Sequence, residues 1–337
     1  MTLSTSFDCK ASRVSIVVPV FNEKENIIPL VQTVIAAMTD FAAQWELILV
    51  DDGSTDGTTE QLHDVAKSFG GFVRVVELSR NFKQTAAMQA GIDAARGDVI
   101  VTMDGDLQND PADIPRMVER LLKENLDLVA GWRKDRKDGF WLRKLPSQIA
   151  NKLIARMTGV VLNDYGCSLK VFRASVIKQV RLYGEMHRFI PAWLVTVTNS
   201  RRIAQEVVRH HPRIHGQSKY GISRTFRVLL DLFFVYFFMQ FRTRPGHFFG
   251  GLGLVLFSLG TAFLGYLFSL KFVRAEDIGN RPLLTTGFFL CIAGFQLLTT
   301  GILAEVLVRV MFESGQNKSY MVRGGEDIPA DEGWYER

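Results

Sequence analysis

The chain has 337 residues, of which 47% are hydrophobic and 22% are charged, and its formal net charge is +5. This length allows one large domain or two ordinary ones. The small positive charge suits a surface near anionic lipid or a phosphorylated substrate, although many proteins that bind neither carry as much, and we expect no nucleic-acid partner. The three cysteines are scattered and odd in number, which excludes a disulfide framework and fits a reducing compartment.

Predicted strands alternate with predicted helices in the first part of the chain. Apolar β runs occupy 14–20, 46–50, 73–78 and 99–103, and helical periodicity occupies 25–38 and 84–95. This alternation predicts an α/β domain whose mostly parallel sheet is covered on both faces. Ligands bind such sheets beyond the carboxyl ends of the strands, and a polar cluster follows each of the four strands. The four clusters therefore predict a single binding edge.

Two carboxylates follow the fourth strand, in the run Asp104-Gly105-Asp106. Mg2+ and Mn2+ take oxygen ligands, and Mg2+ sites typically combine one or two carboxylates with substrate phosphates. The pair therefore predicts a divalent-cation site that a diphosphate-bearing substrate completes. The alternative is structural, with both aspartates beginning a loop and capping the helix after Pro111.

A basic stretch at 131–137 is followed by two aromatic and two basic residues within 140–144. Such residues fit either a solvated loop or a surface that rests on lipid headgroups and admits a lipid phosphate. Further along, the apolar segment 222–241 is interrupted by three charged residues. This pattern indicates a helix in the membrane interface rather than a third span.

Two stretches without any charged residue, 248–270 and 282–304, exceed the ~20 apolar residues that a membrane-spanning helix needs. We predict a transmembrane hairpin, and no signal peptide because residues 1–13 are polar. Positive charges near the spans favour an inner (plasma) membrane protein with a cytoplasmic N-terminal domain. The first span also begins with a face of small residues, which suits close helix packing in the hairpin or between subunits. This face consists of Gly246, Gly250, Gly251 and Gly253, and we expect a homo-oligomer.

These patterns divide the chain into four predicted regions. The regions are an α/β domain at 1–221, an interfacial helix and linker at 222–245, two transmembrane helices within 246–312 and a cytoplasmic tail at 313–337.

Three motifs resemble the nucleotide and metal motifs of inverting family-two glycosyltransferases with the GT-A fold. They are VPVFNE at 18–23, VDDGSTD at 50–56 and MDGDLQNDP at 103–111. Two later motifs, DYGCSLKVFR at 164–173 and GQSKY at 216–220, precede the two spans. They resemble, more narrowly, the polyprenyl-phosphate glycosyltransferases, a group that includes dolichyl-phosphate mannose synthase, bactoprenol glucosyltransferases and undecaprenyl-phosphate formamidoarabinose transferases. The resemblance extends from about residue 13 to about residue 312.

The resemblance implies a UDP- or GDP-linked sugar donor, an undecaprenyl or dolichyl phosphate acceptor, and Mg2+ or Mn2+ as the cofactor. It implies that the nucleoside is held by Pro19, Val20, Asn22, Glu23, Asp51 and Asp52. The cation and diphosphate would be lined by Asp104, Gly105, Asp106 and Gln108. The phosphates, chiefly that of the acceptor, would be faced by Arg133, Arg173, Arg213, Ser218 and Lys219.

Two positions keep alternatives open. The resemblance favours Asp164 as a residue by the reacting sugar that contacts a hydroxyl or orients a phosphate-binding cation, and the alternative is a cap on the turn at Tyr165. The run Lys83-Gln84-Thr85 departs from the glycine that many relatives have after the Asn-Phe pair, so the donor contacts of that loop stay undefined.

The chemistry implied by the resemblance needs cations more than a general base. A phosphate monoester has its second pKa near ~6, so a lipid phosphate is largely dianionic at pH 7. Histidines 210, 211 and 215 are therefore explained as well by an exposed turn as by catalysis. We predict transfer of a single sugar with inversion. The alternatives are a processive polysaccharide synthase, whose Q-x-x-R-W motif is absent here, and an inactive scaffold, which would lack the two aspartates.

Overall fold

The computed structural model describes residues 12–41, 44–134, 155, 159–184, 186–212, 237, 241, 245–275 and 277–313. These residues belong to two compact units. The N-terminal unit contains a sheet with its helices, and the C-terminal unit contains two long helices. The bounds of the four predicted regions stay a prediction.

Seven strands form one mixed sheet in the order β3-β2-β1-β4-β6-β5-β7. The strands are β1 (Arg13–Val20), β2 (Gln44–Asp51), β3 (Val73–Glu77), β4 (Val99–Thr102), β5 (Leu128–Trp132), β6 (Lys170–Arg173) and β7 (Ile203–Val207). Strand β6 runs antiparallel to its neighbours β4 and β5, and all other pairs are parallel. The predicted, mostly parallel sheet is confirmed.

The helices cover both faces of this sheet. They are α1 (Lys24–Met38), α2 (Thr58–Phe69), α3 (Gln84–Ala94), α4 (Ile114–Lys123), α5 (Ala174–Ile177) and α6 (Ile190–Leu194). Helices α1 and α4 bury Leu30 and Leu121 in the same core as Ile16 of β1. Helix α3 packs on the opposite face, where a Cβ on Gly91 would lie only 2.2 Å from Cγ1 of Val17. Because both faces are covered, the central strands are apolar along almost their whole length.

The C-terminal unit consists of α7 (Pro245–Arg274) and α8 (Pro282–Glu313), and each contains one of the predicted spans. Only 17% of the most apolar window of each helix is buried, so neither is the core helix of a globular domain. Length and hydropathy allow both to cross a membrane.

Glycines bring these two helices into close contact. A Cβ on Gly253 would lie 2.8 Å from the carbonyl oxygen of Gly294, and the backbone N–H of Gly246 donates to Glu305 over 3.2 Å. A Cβ on Gly251, by contrast, would meet nothing within 4 Å. The backbone N of Gly250 would lie 3.3 Å from a Cβ on Gly301, so three of the four predicted glycines pack within the hairpin. The predicted interfacial helix at 222–241 lies almost entirely outside the described residues.

Candidate active site

The turns after β1 and β2 are joined by hydrogen bonds. The Oδ1 of Asn22 accepts from the backbone N–H of Thr55 at 2.9 Å, and the N–H of Asn22 donates to Oγ of Ser54 at 2.9 Å. Asp51 accepts from the N–H of Ser54 at 3.0 Å and from the hydroxyl of Thr59. Because these side chains hold each other, the two turns form one preorganised wall at the carboxyl edge of the sheet.

Asp52 fixes the loop that follows β3. Its carboxylate accepts from the backbone N–H groups of Phe82 at 2.7 Å and Lys83 at 2.9 Å. Burial raises the pKa of Asp52, and these two hydrogen bonds offset part of that effect. Lys83 has a φ of 78°, a conformation that favours glycine. The position where the sequence departs from its relatives is therefore a strained turn pinned by Asp52.

The paired carboxylates lie two residues beyond β4. Asp104 is partly exposed, and its carboxylate accepts a hydrogen bond from Nε2 of Gln84 at 2.7 Å. Asp106 is only 7% exposed, and its carboxylate accepts from the backbone N–H of Gln108 at 3.2 Å. Burial and the neighbouring charge of Asp106 raise the pKa of Asp104 to about 6. A Cβ on Gly105 would lie 2.7 Å from Cγ1 of Val20. The close approach at Gly105 holds the pair against the turn after β1.

This pair fits a divalent cation of the kind that the sequence predicts. Two neighbouring carboxylates supply hard oxygen ligands, and a bound cation would offset both causes of the raised Asp104 pKa, burial first and the charge of Asp106 second. Within the described ranges, no three acidic, histidine or cysteine side chains are grouped to hold a metal. The remaining ligands would then come from water or substrate phosphates, as is typical of Mg2+.

Arg133 and Asp164 form a bidentate ion pair on the β5–β6 side of the carboxylates. Arg133 donates from Nε to Oδ2 of Asp164 at 2.7 Å and from Nη2 to Oδ1 at 3.0 Å, and both side chains are less than 15% exposed. Burial alone would lower the pKa of Arg133, but the Asp164 carboxylate raises it overall. Asp164 also accepts a hydrogen bond from the backbone N–H of Gly166. It therefore both orients Arg133 and caps the turn at Tyr165 and Gly166.

Arg173 is placed elsewhere, which corrects the sequence-based assignment. It pairs in register with Val99, the first residue of β4, and so lies at the edge opposite Asp104. Its Nε lies 3.4 Å from Oδ1 of buried Asp127. The reason is the reversed direction of β6, which brings Lys170 to the site and carries Arg173 away from it. We therefore do not assign Arg173 to a phosphate.

The other predicted phosphate ligands, Arg213, Ser218 and Lys219, lie outside the described residues. The chain leads toward them from the site, because the N–H of His211 donates to the carbonyl of Gln108 at 2.8 Å. Asn109 and His210 form an isolated antiparallel bridge at the same place. The two histidines thus border the predicted cation site through backbone contacts.

Three side chains at this site were not predicted. Gln84 bonds Asp104, buried Lys170 lies near Asp104 and Asp164, and His187 bonds the hydroxyl of Thr85 through Nδ1 at 2.6 Å. Lys170 lies within the DYGCSLKVFR motif, which was the available signal for it. No sequence signal pointed to His187, since its partner lies 102 residues away along the chain.

Comparisons with known proteins agree with this geometry. Residues 15–181 match the family model described as glycosyl transferase family 2. The dodecaprenyl-phosphate galacturonate synthase of Rhizobium johnstonii is 57% identical over 95% of this chain and 94% of its own length. The chain belongs to glycosyl transferase family 2. It is a glycosyltransferase, and the sequence-based resemblance to the polyprenyl-phosphate enzymes is confirmed.

Two further comparisons involve proteins that are less similar in sequence. The undecaprenyl-phosphate 4-deoxy-4-formamido-L-arabinose transferase of Aeromonas hydrophila is 34% identical over 92% of each chain. The crystal structure of mannosyl-3-phosphoglycerate synthase from Rubrobacter xylanophilus has a TM-score of 0.54 and 17% identity over 66% of this chain and 72% of its own. The structural likeness shows the fold, and the predicted GT-A class is confirmed.

Proposed function

We propose that this glycosyltransferase transfers one galacturonate residue from a nucleoside diphosphate donor to a polyprenyl phosphate, with inversion at the anomeric carbon. The observation that carries the proposal is the carboxylate pair Asp104 and Asp106 beside the Arg133–Asp164 ion pair. The two carboxylates would bind a metal ion that carries the donor diphosphate, and the Arg133 guanidinium lies next to them for the phosphate of the acceptor. The 57% identical relative, named a galacturonate synthase acting with dodecaprenyl phosphate, supports the choice of sugar and acceptor.

The donor nucleoside is assigned to the wall formed by the turns after β1 and β2. Its proposed contacts are Pro19, Val20, Asn22, Glu23, Asp51 and Asp52. Their mutual hydrogen bonds support this role, since a preorganised wall pays little ordering entropy on binding. The base is proposed to be uracil or guanine.

Asp104 and Asp106, with Gln108 beside them, would hold Mg2+ or Mn2+. The bound cation would neutralise the diphosphate as it departs. Gly105 would keep the two carboxylates against the turn after β1, because a Cβ at this position would lie 2.7 Å from Cγ1 of Val20. Gln84 would keep Asp104 in position through its 2.7 Å hydrogen bond.

The acceptor supplies its own nucleophile. An oxygen of the lipid phosphate forms a bond to the anomeric carbon, the bond from that carbon to the diphosphate breaks, and the nucleoside diphosphate leaves with the electron pair. The dianionic acceptor has no proton to lose, so no general base is required. The dianionic acceptor must approach the donor diphosphate, which is also negatively charged. Arg133, held in position by Asp164, would offset the repulsion between these two anions. Lys219, Arg213 and Ser218 stay proposed partners of the same phosphate.

The length and hydropathy of α7 and α8 support a proposal for the cellular setting. We propose a multi-pass inner-membrane protein whose catalytic domain faces the cytoplasm, where nucleotide sugars are made. A homo-oligomer stays a prediction.

A reconstituted transfer assay tests this function. The full chain in detergent is incubated with undecaprenyl phosphate, Mn2+ and UDP-galacturonate, UDP-galactose, UDP-glucose or GDP-mannose, and mass spectrometry identifies the products. We expect a polyprenyl-phosphate galacturonate with one sugar per lipid. A product with several sugars would favour the processive alternative, and no product from any donor would contradict the proposal.

Replacing a carboxylate tests the cation site. Asp106→Asn removes a charged ligand, and we expect transfer to fall by about 100-fold or more because the departing diphosphate loses its counter-charge. Asp98→Asn is the matched control, since Asp98 is exposed and pairs with Arg13 at the other edge of the sheet. Equal activities in both variants would remove the cation from the mechanism.

A further inference from the structure

Lys170 is a buried cation with no carboxylate partner among the described residues. It is the first residue of β6 and is only 2% exposed, and its Nζ donates to the carbonyl of Cys167. Among the residues that the structure describes, no carboxylate lies within ion-pairing distance of this ammonium, although Asp104 and Asp164 are near enough to act on it electrostatically. An ammonium has three donors, and a buried charge without a partner is costly. Lys170 therefore has donors left for an anion that the described residues do not supply.

The sheet order places Lys170 on the sugar side of the donor. Strands β1 to β3, which carry the proposed nucleoside wall, lie on one side of β4, and β6 lies on the other. The diphosphate joins nucleoside to sugar and is assigned to the carboxylates after β4. A donor whose nucleoside occupies the β1–β3 side must therefore extend its sugar toward β6. Lys170 begins that strand at the same edge, because β6 is antiparallel.

His187 is a described neighbour of Lys170 that carries no negative charge. It bonds Thr85, and burial, together with the nearby Arg188 and Lys170, lowers the pKa of its imidazole to about 3. The ring is therefore neutral, and the Thr85 hydroxyl occupies only its Nδ1. A neutral imidazole and an ammonium together favour an acidic group over a neutral or basic one.

We propose that Lys170 binds the carboxylate of a uronic acid sugar in the donor and thereby selects galacturonate over galactose. This inference rests on the proposed function and names the residue that recognises the sugar of the donor. Galacturonate and galactose differ only at C6, where a carboxylate replaces a hydroxymethyl group. The phosphates have other partners in the proposed site, namely the cation held by Asp104 and Asp106 and the guanidinium of Arg133. The sugar carboxylate is the one substrate anion left without a partner.

Donor discrimination tests the assignment. Lys170→Met is compared with the parent, using kcat/KM for UDP-galacturonate and for UDP-galactose with the same acceptor. A charge-assisted hydrogen bond contributes about 1.5–3 kcal/mol, so we expect the galacturonate preference to fall by roughly tenfold to 100-fold. The low rate with UDP-galactose should change by less than about twofold. Equal losses for both donors, or no change in the ratio, would overturn the assignment.

Two further variants separate charge recognition from folding. Lys170→Gln keeps a donor for the Cys167 carbonyl but loses the charge, so the same fall in preference is expected from a folded protein. Lys178→Met is the matched control, because Lys178 also donates to a backbone carbonyl, that of Ala95, at the opposite edge. Its donor preference should equal that of the parent. UDP binding by calorimetry should be the same in all variants, and selective loss of UDP affinity in Lys170→Gln would assign Lys170 to the phosphates instead.

The two proposals fail in different ways. If the parent transfers no galacturonate, the proposed function is wrong. If the parent prefers galacturonate and Lys170→Gln keeps that preference, only the role of Lys170 is wrong.

Discussion

Two arginines of the same predicted set lie at opposite edges of the sheet. Arg133 lies beside the carboxylate pair and is oriented by Asp164. Arg173 lies at the opposite edge, where Nε is 3.4 Å from buried Asp127. A motif specifies which residue types are present, but the direction of the strand decides which edge each side chain reaches.

Alanine variants separate these two roles. Arg133→Ala should lower kcat/KM for undecaprenyl phosphate by about 100-fold, because the acceptor phosphate loses its charge-assisted hydrogen bonds. Arg173→Ala should leave kcat/KM nearly unchanged but lower the free energy of unfolding by about 1–3 kcal/mol, because Asp127 loses one of its partners. Steady-state kinetics and denaturant unfolding measure the two effects. A larger kinetic loss in Arg173→Ala than in Arg133→Ala would reverse the assignment.

Among the elements, the sequence predicted best those that are buried on both sides. Strands β1, β2 and β4 are almost continuous apolar runs, so their positions and the polar turns after them were predictable. Helix α2 was not predicted, since only three of its residues are buried. Strand β6 is only four residues long and has a basic residue at each end. Such a short pattern predicts neither which face of the strand is buried nor the direction in which the strand runs.

The site was predictable only in part, for a related reason. Residues that directly follow strand ends, such as Asp104 and Asp52, could be assigned to one edge from topology alone. Contacts between distant segments could not. The hydrogen bond from Gln84 to Asp104, and that between Thr85 and His187, depend on how α3 packs against neighbouring loops.

The turn after β2 offers a test at the scale of one element. Gly53 has a φ of 71°, and a Cβ there would lie 2.6 Å from the carbonyl carbon of Arg80. Gly53→Ala should therefore displace the loop that Asp52 holds, raise KM for the donor several-fold and lower the melting temperature. Gly70→Ala is the control, since Gly70 has a φ of 90° but open space around its Cβ position. Equal effects of both variants would show that backbone strain alone, rather than the close approach to Arg80, is responsible.

The stability of the whole molecule should depend on pH through His187. Its pKa is lowered to about 3 by burial and by the nearby Arg188 and Lys170, whereas an unfolded histidine titrates near pH ~6.5. Between these values the unfolded state binds the extra proton, so the free energy of unfolding falls by up to about 1.4 kcal/mol per pH unit as the pH drops below ~6.5.

Unfolding measured at pH 7.5 and 5.5 checks this dependence. On acidification, His187→Gln should lose about 1 kcal/mol less stability than the parent because it has no imidazole to charge. The raised pKa of Asp104 acts in the opposite direction, but it does so in both proteins and cancels in the comparison. An identical loss in both proteins would contradict a neutral, buried ring.

The reversed direction of β6 has an architectural consequence. Because β5 ends and β6 begins at the catalytic edge, the connection between Trp132 and Lys170 starts and finishes at that edge, and the ion pair of Arg133 and Asp164 joins its described ends. A longer connection costs little extra loop-closure entropy and leaves the register of β1, β2 and β3 unchanged. The strands behind the proposed nucleoside wall and the segment that borders the other side of the carboxylates are therefore separate stretches of chain, and each can vary without the other.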